Sequence, residues 1–279
     1  MTLSTRHCLP LVIAVLLLAA CTLTPEPPTA TPLPTETRVP SPTPTLTPTA
    51  LPSPTPAPTS TPAPVEPAVC SPMADFDFAA LREAVVNRYA PPPMGRDEPH
   101  QGVDIAYLDP QTRIALSGWP VRAALAGTVA GVTNERFPYG NAVIIETPLE
   151  GILPPLELPE MMPTPQAKSP LTCPDFAIPA DWSTAQPSLY LLYAHMESPI
   201  PLQVGQAVAC GDPLGQTGMS GNALNPHLHL EVRIGPAGTQ FPSIAHYDAS
   251  ASDEEMSAYC LWRISGWFQV ADPMGLFDQ

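Results

Sequence analysis

Positive charge is what this chain lacks most. Its 279 residues hold 11 Lys plus Arg against 26 Asp plus Glu, a formal net charge of −15, and Lys168 is the single lysine. That balance argues against a nucleic-acid partner and against electrostatic capture by anionic lipid or an anionic wall polymer. A His-Glu-x-x-His segment is absent, which excludes a zinc site of the helical protease type. No Cys-x-x-Cys pair occurs, so the cysteines make a poor metal site. The apolar run from Leu9 to Ala20 is too short to span a bilayer comfortably.

Proline is abundant but unevenly spread. Residues 1–21 combine Arg6, the apolar run and the closing Leu18-Ala19-Ala20-Cys21. They resemble a bacterial lipoprotein signal peptide, in which Cys21 is lipidated and becomes the mature N-terminus. The chain is then expected to be exported and held at the membrane by a lipid anchor on Cys21, facing the periplasm or cell wall. An ordinary secretory signal or an uncleaved anchor is the alternative, and each takes the chain out of the cytoplasm. Residues 22–69 are almost wholly Pro, Thr, Ala, Ser and Leu, with 16 of the 42 prolines. Such a composition buries no core and favours extended polyproline II, so the segment is expected to be a disordered tether with an upper reach on the order of 150 Å.

Residues 70–279 suffice for one well-buried domain, expected to be a monomer. Cys70, Cys173, Cys210 and Cys260 make two disulfides in an exported chain, with three pairings possible. The expected pairing joins Cys70 to Cys260, linking the domain's two ends, and Cys173 to Cys210. Helical spacing of Phe78, Leu81, Val85 and Tyr89 predicts a short helix near 75–89, stopped by Pro91-Pro92-Pro93. Strand patterns follow at 126–133, 141–147, 189–196, about 203–209 and 227–234, and Ser252-Asp253-Glu254-Glu255 predicts a capped helix near 252–262. The fold class is mainly β, an antiparallel sheet with short flanking helices. Residues 148–187, with ten prolines, interrupt it where a hairpin turn is expected, and Cys173 inside them points to a pinned loop.

Chemistry concentrates in three stretches. In "NPHLHLEVRI", residues 225–234, the period-two alternation sends Leu228, Leu230, Val232 and Ile234 to one face and His227, His229, Glu231 and Arg233 to the other. Two adjacent imidazoles repel when both are protonated, and a metal keeps them neutral. In "GRDEPHQGVDIAY", residues 95–107, His100 and Asp104 are four apart and share a face if the backbone is extended. In "YLLYAHMES", residues 190–198, alternation puts Leu191, Tyr193 and His195 on one face. Each stretch alone also fits a structural role; together they bring four of the six histidines and one aspartate to strand positions able to converge.

His-x-x-x-Asp, Tyr-x-His and His-x-His in that order resemble the lysostaphin/LytM-type zinc endopeptidases, β-sheet peptidoglycan hydrolases. Supporting stretches are "PVRAALAGTVAGV" at 120–132, "GNAVIIET" at 140–147, "VGQAVACGDPLGQTGMSG" at 204–221 and the late "ADPM". The resemblance covers a core of about 93–235, interrupted by the 148–187 insert and followed by a C-terminal extension, 236–279. It implies a Zn²⁺ cofactor held by His100, Asp104 and His229, with one coordination position open, and a catalytic pair, His195 and His227, with Tyr193 as an added donor. It implies peptidoglycan as the partner, cut at a peptide bond. The alternative on the same fold is a non-catalytic scaffold that binds wall or regulates another hydrolase; retention of all five His and Asp positions favours the enzyme. Ala223-Leu224-Asn225 departs from the small Ser/Thr-Gly run usual in that family, which leaves specificity open.

Overall fold

The computed structural model describes residues 69–93, 95–149, 172–175, 177–182 and 185–278, all within the unit Ser60–Gln279. The signal segment, Cys21, nearly all of the tether and most of the insert lie outside the described residues. Asp77 caps α1 (Phe78–Glu83) by accepting from the Ala80 N–H. This helix is shorter than the predicted 75–89, because Val85 and Val86 are β-branched and begin β1 (Val85–Asn87), which pairs with β2 (Val103–Ile105). There follow β3 (Pro120–Arg122), β4 (Gly127–Arg136), β5 (Gly140–Pro148) and β6 (Pro187–Ala194). Next come β7 (Ala207–Val208), β8 (Pro213–Gln216), β9 (Leu228–Pro236), α2 (Asp253–Arg263), β10 (Gln269–Ala271) and a 3-10 helix, Pro273–Phe277. The expected capping box is present, with Ser252 and Glu255 satisfying each other's backbone N–H groups.

The main sheet runs β1-β2-β9-β6-β5-β4-β7, with β10 also on β9, and every pairing is antiparallel. The mainly antiparallel β class expected from the sequence is thus the observed one. β3 and β8 form a second, two-stranded sheet. Pro148 ends β5 opposite Ser188 of β6, so the insert does replace a hairpin turn.

Two cores flank the sheet. Leu228, Leu230, Val232 and Ile234 enter one, with Leu189, Leu191, Tyr193, Val143 and the 121–125 segment. The other holds Tyr190, Leu192 and Ile144 against Phe241, Phe268 and the α2 residues Ala258, Tyr259 and Trp262. Strand β9 is therefore buried on both faces. Its polar row, His229, Glu231 and Arg233, lies on the side covered by the C-terminal extension, with Glu231 0 % and Arg233 1 % exposed.

The disulfides are Cys70–Cys210 and Cys173–Cys260, which corrects the expected Cys70–Cys260 and Cys173–Cys210. Cys70 and the 210–211 turn grip the same piece of chain: the Cys70 N–H donates to the Ala124 carbonyl and the Gly211 N–H to the Ala123 carbonyl. Cys173 is drawn instead to α2, and the neighbouring Thr172 carbonyl accepts from His246 Nε2–H at 2.7 Å. Position along the chain carried no information about which face each cysteine reaches.

Candidate metal centre and active site

Register places the site. Asp104 of β2 pairs with His229 of β9, and Ala194 at the end of β6 pairs with His229 on its other side. His100 lies in the bend before β2 rather than in an extended strand, so it meets Asp104 across that bend. Gly102 makes the bend possible. A Cβ there would come 2.5 Å from the Leu230 carbonyl oxygen and 2.9 Å from His229 Cε1.

Each of four imidazoles has one nitrogen fixed on an oxygen that only accepts. His100 Nδ1–H donates to the Arg88 carbonyl (3.0 Å), His195 Nδ1–H to Ser220 (2.7 Å) and His227 Nδ1–H to Asn225 (2.7 Å). His229 Nε2–H donates to the Glu231 carboxylate at 3.1 Å. These bonds set the tautomers. His100 thereby turns Nε2 to the site, 3.0 Å from Asp104 Oδ1 and 3.2 Å from His229 Nδ1, which is itself 2.8 Å from Asp104 Oδ1. Three possible ligand atoms converge there, a place that a shared proton or a metal cation fits.

Zinc fits. Ligand bonds of about 2.0–2.1 Å in a tetrahedron imply donor–donor edges of about 3.3 Å, close to the three distances observed. In the protein alone a proton takes that place. Burial disfavours the His229 imidazolium, but hydrogen bonds and charges of Asp104 and Glu231 outweigh it and raise its pKa to about 9. Burial likewise opposes ionisation of Asp104, yet hydrogen bonds from His100, His227 and His229 hold the carboxyl well below its ordinary range. For His195, burial and then repulsion from His229 and His227 lower the pKa to about 3, so the ring is neutral at physiological pH.

His195 and His227 sit beside this trio, their ring centroids 4.8 Å apart, and His227 Nε2 is 3.4 Å from Asp104 Oδ1. All five residues line one cleft of about 860 Å³. Tyr193, expected as a donor, does not line it. That phenol is 0 % exposed in the opposite core, where its oxygen accepts from the Ala124 N–H at 2.8 Å. The alternation that grouped Tyr193 with His195 fails because β6 ends at Ala194 and His195 takes a left-handed φ of 64°, which turns it to the other side.

Behind the ligands lies a hydrogen-bonded network centred on Glu231 and Asp97, to which the motifs assigned no role. Glu231 Oε1 accepts from His229, from Tyr139 Oη–H (2.7 Å) and from Arg263 Nη1–H (2.8 Å). Its Oε2 accepts from Arg233 Nε–H (2.9 Å) and Trp262 Nε1–H (2.8 Å). Burial opposes its charge, but Arg233 and Arg263 keep the carboxyl well below the ordinary range. Asp97 accepts from Arg263 and from the hydroxyls of Tyr247 and Tyr259. The His-x-Glu spacing gave a signal for Glu231; no local pattern pointed to Asp97, Tyr139 or Arg263.

Residues 183–241 match the model of peptidase family M23. A search of curated proteins returns no match. Among solved structures, the chain is 21 % identical to the catalytic domain of the prophage-encoded M23 protein EnpA of Enterococcus faecalis, covering 60 % of this chain and 92 % of that one, TM-score 0.33. It is 19 % identical to the catalytic domain of lysostaphin from Staphylococcus simulans, covering 57 % and 87 %, TM-score 0.35. It is 20 % identical to a zinc-containing peptidase of Vibrio cholerae, covering 53 % and 32 %, TM-score 0.31. The chain resembles peptidase family M23 through the matched segment, which supplies His195, His227 and His229; His100 and Asp104 lie upstream of it.

Proposed function

We propose that the protein is a zinc-dependent metalloendopeptidase that hydrolyses peptide bonds of peptidoglycan. The observation that carries this reading is the set of anchored imidazoles: each is held from outside through one ring nitrogen, and His100 and His229 turn the other to Asp104. His100, Asp104 and His229 would hold the zinc, which when bound supplies Lewis acidity for the scissile carbonyl and makes water nucleophilic near neutral pH. His195 is held by Ser220 with a bare Nε2 and is neutral at that pH, so it can accept a proton within the cleft. His227, oriented by Asn225, can present a protonated Nε2 to the oxyanion of the tetrahedral carbon and then give that proton to the leaving amine. A cleft of about 860 Å³ gives a peptide room to lie across these groups.

Export and lipid anchoring at Cys21 belong to the same proposal, supported by the sequence of residues 1–21. Metal analysis of purified residues 70–279, beside digestion of purified peptidoglycan, tests the activity. About one zinc per chain and release of peptide amines are expected, both lost on chelation. A zinc-loaded protein that binds peptidoglycan and releases nothing would favour the scaffold reading instead.

A further inference from the structure

We propose that Arg263, from the helix α2 of the C-terminal extension, is a positioning residue that locks the two halves of the metal-ligand set to one another. This rests on the reading of His100, Asp104 and His229 as ligands. The ligands reach the site from separate pieces of chain, His229 on β9 and His100 in the bend before β2. Arg263 holds both pieces. Its Nη1–H donates to Glu231 Oε1 at 2.8 Å, the oxygen that also receives His229 Nε2–H. On the other side its Nε–H donates to Asp97 Oδ1 at 2.5 Å and its Nη2–H to the Asp97 carbonyl at 2.6 Å, three residues before His100. One planar guanidinium thereby fixes the distance between the carboxylate behind His229 and the backbone that carries His100.

Chemistry favours arginine here over any other cation. Glu231 is fully buried, and Asp97 and Arg263 are nearly so, so the guanidinium also balances charge that water cannot screen. Glu231 Oε1 accepts from His229 Nε2–H, so the ring turns Nδ1 toward Asp104 and the rest of the ligand set. Arg233 makes a parallel tie, from Glu231 to Gln101, but it reaches a side chain rather than the backbone before His100. Arg263 lies past residue 241, where the family match ends, so this chain completes its ligand cradle with an element that the match does not include. The bridge from Cys173 to Cys260 holds the same helix one turn away.

Zinc affinity of the full exported chain, measured by competition with a chelating dye, tests the inference. Cobalt-substituted absorption spectra report ligand geometry, and near-UV circular dichroism of the metal-free protein reports the fold. Arg263→Met is expected to weaken zinc about 10- to 100-fold and to shift the cobalt bands, the range for groups that orient ligands from behind. Arg263→Lys restores charge but cannot span both carboxylates, so it recovers affinity only in part and leaves the bands shifted. Asp97→Asn, which keeps size and the carbonyl, is the second variant should Arg263→Met fail to fold, and it is expected to move the bands in the same direction. A folded Arg263→Met or Asp97→Asn with wild-type affinity and an unchanged cobalt spectrum overturns the inference. Asp104→Ala is the control: undiminished zinc affinity there overturns the ligand reading itself, separately from any result at Arg263.

Discussion

His227 and His229 lie two residues apart, yet their surroundings differ in kind. His229 is backed by an ionised carboxylate and faces Asp104 at 2.8 Å; His227 is backed by a carbonyl and stands off at 3.4 Å. His229→Ala and Asp104→Ala are therefore expected to empty the zinc site. His227→Ala and His195→Ala are expected to keep zinc and lose turnover by about 100- to 10,000-fold, measured as metal content beside hydrolysis kinetics. The same residues set how the metal-free protein responds to pH. His195, with a folded pKa of about 3 against 6.5 when unfolded, binds its proton in the unfolded chain first. Its contribution is present above pH 6.5 and is lost as pH falls toward 3. His229, raised from 6.5 to about 9, stabilises fully below 6.5, and that stability is lost as pH rises through 9. The chelated protein should have its highest Tm near pH 6.5, with the alkaline fall missing in His229→Ala.

At the scale of elements, strand β9 was the most legible part of the chain. Its alternation gave both the apolar row of the core and the polar row of the site, because a two-residue period survives whatever packs on each face. That Asp104 and His229 meet was implied by the resemblance, which makes both ligands; their direct pairing across β2 and β9 came only from the structure. What alternation could not give was the turn at His195, since one left-handed residue reverses the facing and leaves Tyr193 behind in the core. Nor could spacing reveal Arg263 or the disulfide partners, which are contacts between distant elements. The observed bridges now carry an expectation. Cys173–Cys260 spans 87 residues of sequence and ties α2 to the later part of the 148–187 insert. Non-reducing peptide mapping should recover it together with Cys70–Cys210. Replacing Cys173 and Cys260 by Ser should cost roughly 2–4 kcal/mol, seen as a lower urea midpoint.

At the scale of the whole molecule, charge and composition decide how a peptidase of this kind would meet its polymer. A net charge of −15 gives no long-range attraction to an anionic wall, and beyond about 10 Å salt screens what remains. Encounter must then be arranged by holding the folded unit near its substrate. The proposed lipid at Cys21 and the Pro/Thr-rich residues that follow offer that arrangement, since anchoring raises the local concentration without any favourable charge. Two measurements separate reach from catalysis. Deleting most of 22–69 should leave hydrolysis of soluble muropeptides unchanged, because none of the five site residues lies there, while wall turnover in cells falls. Cys21→Ala should abolish incorporation of a labelled fatty acid and give the same split between the two assays. Equal loss of activity on soluble and cellular substrate after the deletion would mean that residues 22–69 belong to the working enzyme rather than to its tether.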